Sequence, residues 1–284
     1  MPDRDLSTEI ASTAGVSECA CGYRTSVTNL PRAAQYDMCL HRPDHDIYVS
    51  QLIHRGEMFD SHVYESVARV HAYWSHTYAS KASEPLFVDV GGNIGTFTLF
   101  AAALGFRTFT FEPLQSNYGL MWQALRMNDF KRSKLYSAAL SSGPGAVDLY
   151  MFEGNYGSTF MPSSGTDPRV NAKGVRYEGS SVTVRMEDVL GNELGERMVE
   201  LLKIDCEGAD ALVLLGAATL IRSRKFRSVI IEVQNLPERK EQARRAFRLF
   251  REAGYHVHRV HQSAEGTRAR LVPARGGADA CAGV

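Results

Sequence analysis

Two short segments of the sequence carry side chains that could do chemistry. One reads "DVGGNIG" from Asp89 to Gly95, and the other reads "KIDCEGAD" from Lys203 to Asp210. Glycines let backbone N–H groups approach a ligand closely. Carboxylates can orient a hydroxyl, act as a general base or bind a hard divalent cation through oxygen. The two segments therefore predict a ligand-binding turn and an acidic reaction site.

A third carboxylate indicates which ligand the glycine turn binds. Glu112 ends the next apolar run, 21 residues after Gly91. A carboxylate at this distance from a glycine turn can accept hydrogen bonds from both hydroxyls of a ribose. We therefore predict a cofactor that contains a nucleoside.

Two nucleoside cofactors compete for this turn. The dinucleotide pattern needs a second glycine where this chain has Asn93, and Asp89 directs a negative charge toward the expected pyrophosphate. S-adenosylmethionine has no phosphate and has a cationic methionine end that favours a nearby carboxylate. The turn predicts S-adenosylmethionine, with NAD as the competing cofactor. A turn that only lets helix and strand pack is the third interpretation.

The acidic segment is expected at the same edge of the sheet as the glycine turn. Strand alternation puts Lys203 and Asp205 on one face, and Glu207 follows in the loop at the carboxyl edge. Asp205 and Glu207 are the candidate catalytic residues. The alternative role for Glu207 and Asp210 is to cap the next helix, where a negative charge stabilises the N-terminal dipole.

These segments lie in a pattern of short apolar runs separated by helical stretches. Such alternation predicts an α/β fold with a mostly parallel sheet, helices on both faces and an antiparallel C-terminal hairpin. Residues 1–45 are expected to be irregular, 46–84 to form a strand and helix extension, 85–275 to form the cofactor-binding domain, and 276–284 to be a flexible tail. Within 46–84, "DIYVSQLI" reads as the strand.

One stretch breaks this alternation. Residues 155–174 are rich in Gly, Ser and Pro, and we expect a long loop there. A loop of that length inside a compact domain is usually functional or mobile. It is expected to help shape the acceptor pocket.

The charge and composition of the chain limit the kinds of partner that it is expected to bind. The 284 residues contain 32 basic and 32 acidic side chains, so no charge excess points to nucleic acid or to an anionic membrane. The longest apolar run, near Leu99 to Leu104, is too short to span a bilayer. A polar N-terminus and five scattered cysteines predict a reduced, cytoplasmic protein.

The histidines of the first third offer weaker candidates. Cys39, His41 and His45 have tolerable metal spacing, but no second cysteine pair accompanies them, so we predict no metal site. His54 and His62 are distant alternatives to the acidic residues as a general base.

Taken together, the segments "FVDVGGNIGTFTLFAAALG", "TFTFEP", "AAL", "EDVL" and "LLKIDCEGADALVLLGA" resemble the FkbM-type methyltransferases in order and spacing. The resemblance covers roughly residues 46–260. It implies a class I Rossmann-like methyltransferase fold and S-adenosylmethionine as donor. It also implies O-methylation of a hydroxyl on a sugar or secondary metabolite.

The resemblance also assigns roles by position. It places Asp205 and Glu207 beside the acceptor, and it places the polar segment Asn155–Thr159 near cofactor or acceptor. The chain departs mildly from the family in having Gly92 where Ala is frequent. The implied cofactor-binding residues are Asp89, Gly91, Gly92, Asn93, Gly95, Glu112 and Ala139.

The sequence therefore predicts an S-adenosylmethionine-dependent O-methyltransferase for a small-molecule or glycan acceptor, with a homodimer as one option for its assembly. One alternative is an S-adenosylmethionine-binding interaction module without catalysis. A nucleic-acid methyltransferase is disfavoured by the neutral charge and by the lack of an Asn/Asp-Pro-Pro-Tyr/Phe segment. A dehydrogenase is disfavoured by Asn93.

Overall fold

The computed structural model describes residues 22–273, except for positions 29, 31, 33, 79–83, 164, 166, 235, 237–238 and 263–265. The predicted tail at 276–284 and the first 21 residues of the predicted irregular segment lie outside the described residues.

The described residues form strands and helices that we number in chain order. The strands are β1 (Tyr23–Val27), β2 (Tyr36–Leu40), β3 (Leu86–Val90), β4 (Arg107–Phe111), β5 (Ser133–Tyr136), β6 (Ala139–Leu140), β7 (Gly145–Phe152), β8 (Asn155–Phe160), β9 (Val175–Val184), β10 (Leu201–Ile204), β11 (Val229–Gln234), β12 (Tyr255–Gln262) and β13 (Gly266–Pro273). The helices are α1 (Ser50–His54), α2 (Ser61–Thr77), α3 (Thr96–Ala103), α4 (Gln115–Met127), α5 (Met186–Leu194), α6 (Asp210–Leu215), α7 (Ala218–Arg222) and α8 (Lys240–Glu252).

A seven-stranded sheet forms the centre of the fold, in the order β12-β13-β11-β10-β3-β4-β5. The pairs from β11 through β10, β3 and β4 to β5 are parallel, whereas β13 pairs antiparallel with both β11 and β12. The predicted mostly parallel α/β sheet is confirmed. Its carboxyl edge brings together the loops that follow β3, β4 and β10.

Helices cover both faces of this sheet, as predicted. Alternate residues of β3 point to opposite sides, because side chains alternate along a strand. Leu86, Val88 and Val90 join the core formed with α5, α6, α7 and α8. Phe87 joins the core formed with α2, α3, α4 and the N-terminal segment. Every residue of β3 is buried, which explains why the strand is apolar at every position except Asp89.

The N-terminal segment is more regular than the sequence indicated. β1 and β2 form an antiparallel pair from Tyr23 to Leu40, so the prediction of an irregular segment up to residue 45 is wrong there. Met38 and Leu40 are buried in the core that covers one face of the sheet. Both strands are short. The position of β2 depends on its packing against α4, a contact that sequence periodicity does not show.

The strand predicted in "DIYVSQLI" is also wrong, because the chain turns there and then forms α1. The buried carboxylate of Asp46 accepts hydrogen bonds from the backbone N–H and the hydroxyl of Ser50, at 2.9 and 2.6 Å. These bonds stabilise the start of a helical turn. Val49 and Ile53 then lie on one buried face of the helix. Over so short a run, this spacing of apolar residues is hard to distinguish from the alternation of a strand.

A second, four-stranded sheet is inserted between β5 and β10, in the order β6-β9-β7-β8. The long loop predicted at 155–174 is wrong in its first part, since Asn155–Phe160 forms β8, and a short 3-10 turn follows at Pro168–Asn171. β8 lacks apolar alternation and pairs with β7 only around Phe160 and Asn155, with a register shift between them. This sheet stands over the carboxyl edge of the central sheet. Among the described residues, no helix has the length and apolar character needed to cross a membrane.

Candidate active site

The glycine turn begins directly after β3 and packs against the loop that follows β10. Gly91 and Gly95 have φ angles of +76° and +91°, which side-chain-bearing residues rarely adopt. A β-carbon at Gly91 would also lie 1.9 Å from the carbonyl oxygen of Asp205. Only glycine therefore fits at the first position of the turn.

The other two glycines serve packing. A β-carbon at Gly92 would lie 2.4 Å from Thr110 Cγ2, and one at Gly95 would lie 2.7 Å from Met121 Cγ. Both glycines therefore let the turn approach β4 and α4 closely. The structure places them on that side of the turn and not among the residues that line the cavity described below.

Glu112 binds the turn through its carboxylate. Its Oε2 accepts a hydrogen bond from the Asn93 backbone N–H at 2.8 Å, and its Oε1 accepts one from the Leu114 backbone N–H at 2.9 Å. Each carboxylate oxygen has two lone pairs, so each can accept a further hydrogen bond from a ligand. Burial raises the pKa of Glu112 to about 7, although the two backbone hydrogen bonds act in the opposite direction.

Asp89 lies behind the turn, bound to Lys203. It is 0% exposed, and its carboxylate accepts a hydrogen bond from Thr98 Oγ1 at 2.7 Å. Its other oxygen lies 3.2 Å from Lys203 Nζ. This placement does not agree with the direct cofactor contact that we expected for Asp89. The residue faces the side of the sheet on which α3 packs, and it stabilises the turn from behind.

Lys203 connects the two loops of the site. Its ammonium group donates a hydrogen bond to the carbonyl oxygen of Gly91 at 2.7 Å, and Nζ lies 3.9 Å from Asp205 Oδ2. Burial opposes the charge of Lys203, but Asp89 and Asp205 outweigh it and raise the pKa of the ammonium group. Burial likewise raises the pKa of Asp89, and Lys203 counteracts that effect. We therefore treat the two side chains as a buried ion pair.

The acidic loop after β10 is shaped by Asp210. This first residue of α6 accepts hydrogen bonds from the backbone N–H groups of Cys206 at 2.8 Å and Gly208 at 3.2 Å. Its carboxylate thus braces the loop that carries Asp205 and Glu207. Glu207 has a φ of +50°, an unusual conformation for a residue with a side chain, and its carboxylate accepts a hydrogen bond from Gln234 Nε2.

The clustering of acids changes their protonation. Burial raises the pKa of Glu207 to about 8, and the negative charges of Asp205 and Asp210 add to the shift. Burial and Asp205 raise the pKa of Asp210 to about 7. Asp205 is the more open member, with 26% of its side chain exposed. A carboxyl group with a pKa near neutrality can exchange a proton with a bound ligand.

These residues surround a cavity at the carboxyl edge of the sheet. The cavity and its open mouth together hold about 530 Å³ of space that protein atoms do not occupy. Of the predicted site residues, six line it: Gly91, Asn93, Glu112, Ala139, Asp205 and Glu207. The sequence-based prediction that the turn, Glu112 and the acidic loop share one site therefore agrees with this geometry.

Part of the lining was not predicted. Asn117 from α4 and Tyr156, Gly157, Thr159 and Met161 from β8 and beyond also line the cavity. The family resemblance pointed to the segment Asn155–Thr159, but the residues alone gave no reason to select Tyr156. Asn117 follows Glu112 by only five positions, on the first turn of the next helix, which could have indicated it.

The histidine candidates lie elsewhere. His54 on α1 and His62 on α2 are not among the residues that line the cavity. His41, just after β2, stacks on Tyr156 with ring centroids 3.7 Å apart. Among the described residues, no group of three or more His, Cys, Asp and Glu side chains is arranged to bind a metal ion.

Known proteins resemble this chain. The sequence model of the methyltransferase FkbM domain matches residues 89–257. Methyltransferase sdnD of Sordaria araneosa is 28% identical over 214 residues, which are 67% of this chain and 77% of that protein. Methyltransferase FkbM from Methylobacillus flagellatus KT has 14% identity and a TM-score of 0.45, and the match covers 75% of this chain and 56% of that structure. The human methyltransferase 10 domain containing protein has 9% identity and a TM-score of 0.42 over 75% of this chain and 82% of that one.

We predict that Gly91→Ala lowers the free energy of unfolding by roughly 3 kcal/mol or more, because it adds a clash with the Asp205 carbonyl to the strain of a positive φ. Gly105→Ala is the control, since Gly105 also has a positive φ of +90° but would place its β-carbon in open space. It should cost about 1–2 kcal/mol. Urea unfolding of both variants measures the difference, and equal losses would contradict a tight contact between the two loops.

We predict that Lys203→Met lowers the free energy of unfolding by about 3–5 kcal/mol, because it leaves the buried charge of Asp89 unpaired. The double variant Asp89→Asn/Lys203→Met should lose less than Lys203→Met alone, since it removes both charges. A double-mutant cycle by urea unfolding measures this coupling. Additive losses would show that the two side chains do not stabilise each other.

Proposed function

Because the chain belongs to the FkbM methyltransferase family, we propose that it transfers a methyl group from S-adenosylmethionine to a hydroxyl oxygen of a small-molecule or glycan acceptor. The observation that carries this proposal is the cavity at the sheet edge. Glu112, whose carboxylate has acceptor capacity beyond its two backbone hydrogen bonds, lies at one part of its wall, and the proton-exchanging carboxyl group of Glu207 lies at another.

The charges around the cavity fit a cationic nucleoside better than a dinucleotide. Glu112, Asp205 and Glu207 all line the cavity, whereas Lys203 is buried behind the turn and paired with Asp89. A pyrophosphate would meet carboxylates with no free cation beside it among the described lining residues. A sulfonium group and an ammonium group gain from the same carboxylates.

Asn93 offers a further contact for the cofactor. Its side-chain oxygen is buried and has no hydrogen-bond partner among the described residues. Buried acceptors are normally paired, so a ligand N–H group would satisfy this oxygen. Asn93 replaces the second glycine of the dinucleotide pattern, which is consistent with a ligand that needs a polar side chain at this point.

The residues of this chain would prepare the acceptor for methyl transfer. S-adenosylmethionine, when bound, supplies a methyl group on a positively charged sulfur that an oxygen can attack in line. Glu207 would take the proton of the acceptor hydroxyl, which increases the nucleophilicity of that oxygen. Asp205 would favour positive charge in the cavity, and the enclosing walls would fix the acceptor in an attacking orientation.

Glu207 is a better candidate base than Asp205. A general base works best when its pKa lies near the operating pH, and burial together with Asp205 and Asp210 raises the pKa of Glu207 to about 8. Asp205 lies 3.9 Å from the buried ammonium group of Lys203 and serves as a partner of that cation. The sequence alone left this choice between the two residues open.

We predict that S-adenosylmethionine and S-adenosylhomocysteine raise the melting temperature by roughly 5 °C or more at saturating concentration, because ligand binding stabilises the native state. NAD should leave the melting temperature unchanged. Thermal-shift measurements with all three ligands provide the test. If only NAD stabilised the protein, the proposed cofactor would be wrong.

The same cofactor proposal predicts a specific loss at Glu112. Glu112→Gln should weaken the affinity for S-adenosylhomocysteine by about ten- to hundredfold, since hydrogen bonds to a charged group are lost. Isothermal titration calorimetry measures the affinity. Glu193→Gln, the same chemical change on the surface of α5, is the control and should bind like the wild type.

We predict that kcat/KM rises with pH up to a plateau above about pH 8, because only the ionised form of Glu207 accepts a proton. Glu207→Gln should lower kcat by about 100-fold or more and abolish this rise. The measurement is S-adenosylhomocysteine release with a panel of sugars, glycosides and aliphatic or phenolic alcohols. Asp205→Asn should keep the rise but move its midpoint to lower pH, because the charge of Asp205 helps to raise the pKa of Glu207. A rise lost in Asp205→Asn and kept in Glu207→Gln would exchange the two roles.

A further inference from the structure

Strand β2, which precedes the region matched by the family model, lies along α4 and is attached to it at both ends. At one end Asn128 accepts a hydrogen bond from the Asp37 backbone N–H at 2.9 Å and donates one to the Asp37 carbonyl at 2.7 Å. At the other end, three helical turns away, His41 Nε2 lies 2.7 Å from Asn117 Oδ1. The second attachment lies at the wall of the cavity.

The contacts of Asn117 define which way its amide points. Its Nδ2 donates to the carbonyl oxygen of Tyr156 at 3.4 Å, so the amide oxygen faces His41. His41 Nε2 must therefore carry the proton and donate it. Burial has the largest effect on the pKa of Glu112 and raises it, whereas Asn117 acts with the backbone hydrogen bonds to lower it. Asn117 and Glu112 line the same cavity.

The ring of His41 is itself held in one orientation. It stacks on Tyr156 with ring centroids 3.7 Å apart and an interplanar angle of 16°. Burial lowers the pKa of His41, so the ring is neutral at neutral pH and carries its proton on one nitrogen. The stack directs that nitrogen at Asn117. The three side chains thereby join the N-terminal segment, α4 and β8.

We propose that His41 is a positioning residue of the cofactor site: its ring N–H fixes the amide of Asn117 in the wall of the cavity that also carries Glu112, the residue proposed to accept the ribose hydroxyls. This inference rests on the proposed function, because it concerns the same cofactor site. His41 precedes the matched range of residues 89–257. The chain thus completes the site with a contact from outside that range.

Other titratable groups face the same side chains and must stay constant in a test. Lys203 on β10 and Cys206 in the following loop face Glu112. Asp46, before α1, and Glu178 on β9 face His41. The variants chosen below leave all four residues unchanged.

The decisive variant is His41→Phe, which keeps an aromatic ring on Tyr156 and removes the N–H donor. Its affinity for S-adenosylhomocysteine at pH 7 should fall about three- to tenfold, the effect of losing one hydrogen bond. In the wild type the affinity should rise with pH through a midpoint near 7, where Glu112 ionises. In His41→Phe this midpoint should move upward by about 0.5–1 pH unit, because Asn117 no longer stabilises the ionised form.

The matched control is Asn128→Ala, which removes the attachment of β2 to α4 at the end remote from the cavity. It should lower the melting temperature but leave the affinity and its pH midpoint unchanged. Asn117→Leu, of similar volume, should shift the midpoint in the same direction as His41→Phe, which keeps the test open if His41→Phe does not fold. Calorimetric titrations between pH 6 and 8.5 measure all variants.

The outcomes separate this inference from the proposed function. If the wild type does not bind S-adenosylhomocysteine, the proposed function fails. If the wild type binds and His41→Phe shows the same affinity and the same midpoint, His41 has no positioning role. If Asn128→Ala shifts the midpoint as much as His41→Phe does, the effect comes from docking of β2 in general, and the inference is overturned.

Discussion

The buried ammonium group of Lys203 is the interaction on which the site depends. It donates to the Gly91 carbonyl, pairs with Asp89 and lies near Asp205, so it fixes the loops after β3 and β10 relative to each other. The backbone contact between Gly91 and Asp205 requires this arrangement, since the two loops have no space for a side chain between them. A buried charge is costly unless it is paired. The pairing of Lys203 with Asp89, on the adjacent strand at the same register, meets that condition.

The same arrangement explains the electrostatics of the cavity. Lys203 is paired with Asp89 behind the turn. Burial raises the pKa of Glu112 to about 7 and, together with the negative charges of Asp205 and Asp210, raises the pKa of Glu207 to about 8. A cavity of this kind binds a cation favourably and releases or accepts protons near neutral pH. Both properties suit methyl transfer from a sulfonium donor to a hydroxyl oxygen.

The sequence predicted the parts of the structure that local pattern determines. β3 and β10 are apolar except for Asp89 and Lys203, because both faces of the sheet are covered, and the glycine turn and acidic loop follow directly from their ends. We expected Asp89 to contact the cofactor, although strand alternation puts it on the same face as Phe87 and therefore away from the cavity. β2 and β8 were missed because their positions depend on side-chain contacts with distant residues, such as Asp37 with Asn128.

The lining of the cavity therefore comes from two parts of the fold, whose positions are set by different contacts. The ends of β3, β4 and β10 carry the carboxylates, and the sheet itself sets their positions. Another part of the lining, with Tyr156, Gly157 and Thr159, is neutral and belongs to the inserted sheet. His41 joins that wall to α4 through its stack on Tyr156 and its hydrogen bond to Asn117. A chain with the same sheet edge but without β2 would keep the acids and lose the group that orients Asn117. The carboxylates thus lie at the sheet edge, whereas the orientation of Asn117 in the cavity wall depends on a residue that precedes the matched domain.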